Sequence, residues 1–221
     1  MSKLVWDQTN EKRYETGIEQ VALFPQVKGA YSNGVAWNGV SALNLTPSGG
    51  EPTALYANNR KYLTLMSVEE LGGTIEAYMY PDEWMACDGS AEAAPGVYLG
   101  QQDRSIFGLA AKTLIGNDSE LNKYGYKLHL VYGALASPSE QSYSSVNDSP
   151  DVNPMSWEFT TTPVEIEGFA STSHICIDST KVDADKLKAL EAIIYGSAES
   201  EPRLPMPNEV VSIIKGETAE G

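Results

Sequence analysis

The 221 residues are 42% apolar and carry a formal net charge of −15. Such a composition admits a sizeable core and excludes global disorder. An acid excess of this size argues against a surface that grips nucleic acid, which needs Lys and Arg against phosphates. The acids are unevenly placed: residues 51–100 hold 8 acids against 2 bases and residues 151–221 hold 13 against 5, while residues 1–50 balance. Solubility is the ordinary use of such charge.

No apolar run approaches the roughly 18 residues that a membrane span needs. The polar opening MSKLVWDQTNEKRYETG lacks the apolar stretch of a signal peptide, so synthesis in a cytoplasm is expected. Cys87 and Cys176 are expected to be free, buried thiols.

In chain order, residues 1–17 are polar apart from Leu4, Val5, Trp6 and Tyr14 and are expected to form an N-terminal arm. A first strand is expected over 18–24, ended by Pro25, and a second over 35–46 with a bend at Gly39. Pro47, Ser48, Gly49, Gly50, Glu51 and Pro52 obey the turn rules and are expected to be the tip of a hairpin spanning 46–59. Residues 62–66 form a short strand, 67–70 a brief helical turn broken at Gly72-Gly73, and 74–80 another strand. A short helix or turn follows at 81–87, then a Pro95-Gly96 turn and a buried strand over 106–115.

The chain is organised around residues 124–140. Tyr124, Tyr126, Leu128, Leu130 and Tyr132 alternate with Lys127, His129, Val131 and Gly133, the period of a central strand with one better-buried face. Residues 137–155 read as loop, 156–166 and 174–178 as strands. One helix is expected over 183–195: Ala184, Leu187, Leu190 and Ile194 form an apolar stripe, with Asp183 and Asp185 at its start and Gly196 at its stop. Residues 197–221 form an acidic C-terminal arm whose apolar patch, 210–214, docks on the body or on a neighbour. The sum is a mainly β (α+β) body over 18–196, a sandwich or barrel with one flanking helix.

Recognisable chemistry is missing from the motifs. The sequence has no phosphate-binding glycine loop, no zinc spacing and no Gly-x-Ser-x-Gly elbow. His129 and His174 each lie in a strand pattern and are read as structural. Glu69-Glu70 and Asp82-Glu83 are read as solvated pairs rather than catalytic carboxylates. Asp183-Ala184-Asp185 lacks the glycine and closing glutamate of a calcium loop. Neither an enzyme nor a cofactor is expected.

Long phrases carry a resemblance: GVAWNGVSALN (34–44), YANNRKYLTLMS (56–67), GGTIEAYMYPDEWMACDGS (72–90), APGVYLGQQDRSIFGL (94–109), IGND (115–118), GYKLHLVYGALASPSE (125–140) and IDSTKVDADKLKALEAIIYG (177–196). In these the chain resembles the major tail protein family of long-tailed phages, of the phi13 type found in phages and prophages of Gram-positive bacteria. The resemblance implies a tail-tube fold of two packed antiparallel sheets with a helix on the flank. It implies hexameric rings stacked into a hollow tube through which DNA passes, in a virion assembled in the bacterial cytoplasm. The implied partners are further copies of the chain and tape-measure, tail-tip and tail-terminator proteins, with no membrane. It implies no catalytic residues.

On that reading, acids facing the lumen repel phosphates, and Glu76 and Glu158 are the candidates. The 46–59 hairpin is the candidate contact between rings, and both arms lock neighbours. A phage-tail-like bacteriocin tube is an alternative with the same fold. A monomeric carbohydrate- or ligand-binding sandwich, with Trp37, Trp84 and Trp157 lining a groove, is an alternative of a different class.

Overall fold

The computed structural model describes residues 3–143, 145, 152 and 154–216. Its strands are β1 (Arg13–Val27), β2 (Ala30–Tyr31), β3 (Val35–Ala36), β4 (Val40–Gly49), β5 (Pro52–Ala57), β6 (Arg60–Met66), β7 (Glu69–Ala77), β8 (Ala91–Ala94), β9 (Val97–Leu99), β10 (Phe107–Asn117), β11 (Leu121–Ala136), β12 (Met155–Thr161) and β13 (His174–Asp178). The helices are α1 (Met85–Asp88), α2 (Ala184–Ile194) and α3 (Pro207–Lys215), with a 3-10 turn at Asp82–Trp84.

The chain is mainly β, with one large antiparallel sheet in the order β2-β1-β10-β11-β12-β7-β4. β3 adds to β1 and β13 adds to β11, while β5–β6 and β8–β9 stand off as separate hairpins. The two expected sheets are therefore one continuous sheet that folds over on itself. The fold is made by β11, which pairs β13 through Lys127–Val131 and then β12 through Ala134–Ala136.

Two cores follow from strand alternation. Leu23, Leu109 and Val131 meet Ile75, Trp157 and Phe159 inside the folded sheet, with Trp37, Trp84 and Phe107 filling the centre. The opposite face of β1, β10 and β11 gives Phe24, Ala110, Leu128, Leu130 and Tyr132 to a second core roofed by Leu187, Leu190 and Ile194 of α2 and Val210 of α3. The alternation read in residues 124–132 is thus realised, with its Tyr/Leu face turned toward the helices.

Several expectations are corrected. Residues 13–17 are not a free arm. They open β1, where Arg13 pairs with Asn117 on β10. Pro25 does not end that strand: it lies inside β1 opposite Phe107, and its carbonyl accepts from the Ser32 N–H. Gly39 breaks the expected second strand into β3 and β4, adopting φ +77°. Residues 67–70 are not a helical turn but lead into and open β7, which runs on through Gly72-Gly73. Two helices, not one, cover the second core: α3 forms from the C-terminal patch, with Pro207 at its start and Gly216 at its stop. It docks on α2, where Lys186 Nζ donates to the Ile214 and Lys215 carbonyls. Cys87 is buried as expected, whereas Cys176 is exposed on β13, and both thiols are free.

Candidate functional surfaces

The strands β12, β7 and β4 present one face to the core and one to solvent. Their ladders place Ser156 beside Glu76 and Ala42, Glu158 beside Thr74 and Asn44, and Thr160 beside Gly72 and Thr46. Because Ile75, Trp157, Phe159 and Leu43 on the alternate positions belong to the core, these residues all face outward. Glu76 is half-buried and Glu158 exposed. Both sequence-predicted acids therefore lie on a single face, one rung apart on adjacent strands.

The rest of that face is small and polar, and neither lysine nor arginine stands among the residues just named. Ser137 and Ser139 extend it past β12: the Ser137 N–H donates to the Glu158 carbonyl at 2.8 Å, and the Glu158 N–H donates to Ser139 Oγ at 3.0 Å. On the other side, β4 is the last strand of the sheet, so one backbone edge of it stays unpaired among the described residues. Open edges of this kind template the pairing of another chain.

The predicted hairpin over 46–59 does not form: β4 pairs with β7, and the hairpin is instead β5–β6, residues 52–66. Pro47, Ser48 and Gly49 are the end of β4, paired with Leu71, Glu70 and Glu69. Gly50 and Glu51 connect β4 to β5, which Pro52 begins. The projecting piece is β5–β6, whose turn is Asn58-Asn59, with φ of 49° and 59°. Two consecutive left-handed residues make the primed turn that matches strand twist, and asparagine tolerates that geometry. Turn rules drew attention to the prolines and glycines at its base instead.

This hairpin shows large apolar side chains to solvent. Tyr56 and Tyr62 are 72% and 73% exposed, and Leu55, Leu65 and Met66 are exposed beside them. Val97, Tyr98 and Leu99 on the second hairpin, β8–β9, are exposed as well. Large apolar side chains concentrated in this way on an exposed hairpin mark a candidate interaction site.

Trp37, Trp84 and Trp157 do not line a groove. They are at most 3% exposed, packed tilted or edge-to-face against one another with ring centroids 4.6 to 5.7 Å apart. A cleft of about 880 Å³ lies between β1, β3 and α2 instead. At its floor the buried Lys112 ammonium meets Glu191 at 2.7 Å and sits over the Tyr126 and Tyr195 rings. Tyr126 donates to the same carboxylate at 2.7 Å, which together with burial drives its phenol pKa upward. The neutralised ion pair ties β10 and β11 to α2.

The two histidines, 45 residues apart, come together. Their ring centroids lie 5.3 Å apart with 5° between planes. They adjoin Glu15, Thr113 and Lys127, a juxtaposition that depends on the β11–β13 register. Among the described residues no cluster of three or more His, Cys, Asp or Glu has metal-binding geometry, and no helix is long and apolar enough to cross a membrane. No family model and no curated protein matches the chain.

Proposed function

We propose that the chain is a structural subunit of a phage tail tube, acting by self-assembly into stacked hexameric rings around a lumen through which DNA passes. The observation that carries the reading is the outward face of β12–β7–β4. It is smooth and polar, bears Glu76 and Glu158, and ends at the unpaired edge of β4. Lining a lumen with this face puts carboxylates, and no bases from that face, toward the phosphates. Repulsion then acts within a Debye length of about 8 Å in physiological salt. Joining the sheets of adjacent subunits removes the β4 edge from solvent.

The apolar β5–β6 hairpin then serves as the contact between rings. Its exposed Tyr56, Tyr62 and Met66 become buried against the next ring. Tape-measure, tail-tip and tail-terminator proteins are the other partners, and the virion is the site of action.

Light scattering and negative-stain electron microscopy over a concentration series test this. Six-fold rings or hollow tubes are expected, alone or with tail-tip and tape-measure partners. A strict monomer in the presence of those partners overturns it.

A further inference from the structure

Four strands contribute to one hydrogen-bonded chain on the inner face of the sheet. Thr113 on β10 donates its hydroxyl to Glu15 on β1 at 2.5 Å. With its only proton committed, that hydroxyl accepts from His129 Nε2–H on β11 at 3.0 Å. His129 therefore carries its proton on Nε2 and leaves Nδ1 bare, to accept from His174 Nε2–H on β13 at 3.1 Å. Lys127 completes the array by donating to the other Glu15 oxygen.

The chain spans β1, β10, β11 and β13, and each end rests on a short outer segment of the sheet. β1 has two register shifts, between Thr16 and Glu19 and between Glu19 and Ala22, with Gln20 at φ +51°. Its outer half, from Arg13 to Thr16, is thereby separated from the buried half. β13 is five residues long and, among the described residues, pairs with β11 alone.

We propose that the His129–His174 pair is a proton-operated latch, which when unprotonated or singly protonated holds the outer half of β1 and β13 onto the central hairpin and when doubly protonated releases them. One added proton is tolerated, because His174 can take it on Nδ1 and still donate from Nε2. A second must occupy His129 Nδ1, the acceptor of that hydrogen bond. The bond is then lost, and two imidazolium rings meet edge to edge with centroids 5.3 Å apart.

Glu15 offsets part of this, with an oxygen 3.5 Å from His129 Nε2, but burial outweighs it. On β1 the pair faces Glu15; on β10, the uncharged Thr113; on β11, Lys127, which already neutralises Glu15; on β13, the Cys176 thiol and Asp178, itself engaged by Lys181 and Thr180. From β4, residues 41–45 approach with no charge. Burial lowers the His129 pKa, and burial followed by the neighbouring ring pushes His174 down to about 4. Both groups thus have folded pKa values below their unfolded value of 6.5. The latch is fully closed above that value and weakens as pH falls toward 4.

Hydrogen exchange of the whole chain, resolved by segment and corrected for intrinsic rates, tests the latch between pH 7 and pH 4. In the natural protein, opening of the segments containing residues 13–17 and 174–178 should rise about tenfold per pH unit for each proton taken up. Segments in β12 and β7 should not follow. His174→Gln keeps a donor for His129 Nδ1 but cannot titrate, so it should stay closed at pH 7 and lose the added acid dependence. His129→Gln, which can accept from His174 and donate to Thr113, should behave alike. Glu15→Gln should keep a histidine-linked slope but move it to lower pH, because the carboxylate favours the charged form of His129. Unchanged protection of both segments down to pH 4, or the same slope in His174→Gln, overturns the latch. The readout needs no assembly, so its failure is separate from failure of the tube reading.

Discussion

Gly73 on β7 and Phe159 on β12 are cross-strand partners, and the phenyl ring occupies the space a side chain at 73 would need. A Cβ there would lie 2.6 Å from Phe159 Cζ and 2.3 Å from the Asn44 carbonyl oxygen on β4. Backbone and ring leave no room on either side, so the glycine in this strand is required by close approach.

Gly73→Ala is therefore expected to destabilise the fold by about 1 to 3 kcal/mol, the usual cost of overpacking. Urea denaturation followed by tryptophan fluorescence measures it. Gly100→Ala, with no atom within 4 Å of the added methyl and no positive φ, serves as the comparison without the clash.

Trp84 is fully buried, between Trp37, Phe107 and Trp157. Trp84→Ala should cost about 3 to 5 kcal/mol, as truncation of buried aromatics does. Trp84→Phe should cost less, because the Trp84 indole N–H has no hydrogen-bond partner to lose. Comparison of denaturation midpoints separates the two.

Lys112→Met removes the ammonium that neutralises Glu191 beneath α2. About 2 to 4 kcal/mol of destabilisation is expected, since the carboxylate keeps only its Tyr126 partner in a largely buried site. The double variant Lys112→Met/Glu191→Leu should recover much of that loss. Equal stability of the single and double variants would contradict the pairing.

At the α3 start, Arg203 donates to both Glu209 oxygens, at 2.8 and 2.5 Å. This holds the Glu209 carboxyl below its ordinary value of 4.5. A depressed acid stabilises above its unfolded pKa and loses that contribution as pH falls through the folded one. The pair is partly exposed, so no more than about 1 kcal/mol is at stake. A carboxyl-detected NMR titration should find Glu209 depressed, and Arg203→Gln should return it toward the ordinary value.

Glu158 is exposed, so Glu158→Gln should leave stability within about 0.5 kcal/mol. On the tube reading, Glu76→Lys/Glu158→Lys should still assemble but slow DNA ejection, measured by release of a fluorescent genome. Unaltered ejection would remove these acids from the lumen.

What could be read from sequence was local and periodic. The Leu128, Leu130 and Tyr132 face needed only alternation, and α2 announced itself by its stripe and by Asp183, which caps the N–H groups of residues 185 and 186. The opening of β7 was misread because Gly72-Gly73 looks like a break until Phe159 is placed opposite. The α3 helix carried its own signs, Pro207 and Gly216 around an apolar run, but the run is short and α2 supplies its reason to fold. That Glu76 and Glu158 share a face follows from alternation only once the β7–β12 register is known. The histidine pair depends on the β11–β13 register and on β1 arriving from a distant part of the chain.

That distance also orders events in time. β10 and β11 are neighbours joined by a short turn, so their hairpin forms locally, whereas Arg13 meets Asn117 only after a loop of about a hundred residues closes. On the ribosome, β1 emerges before β10 and must wait for its partner strand. Until the two meet, each keeps an open edge for which self-association competes.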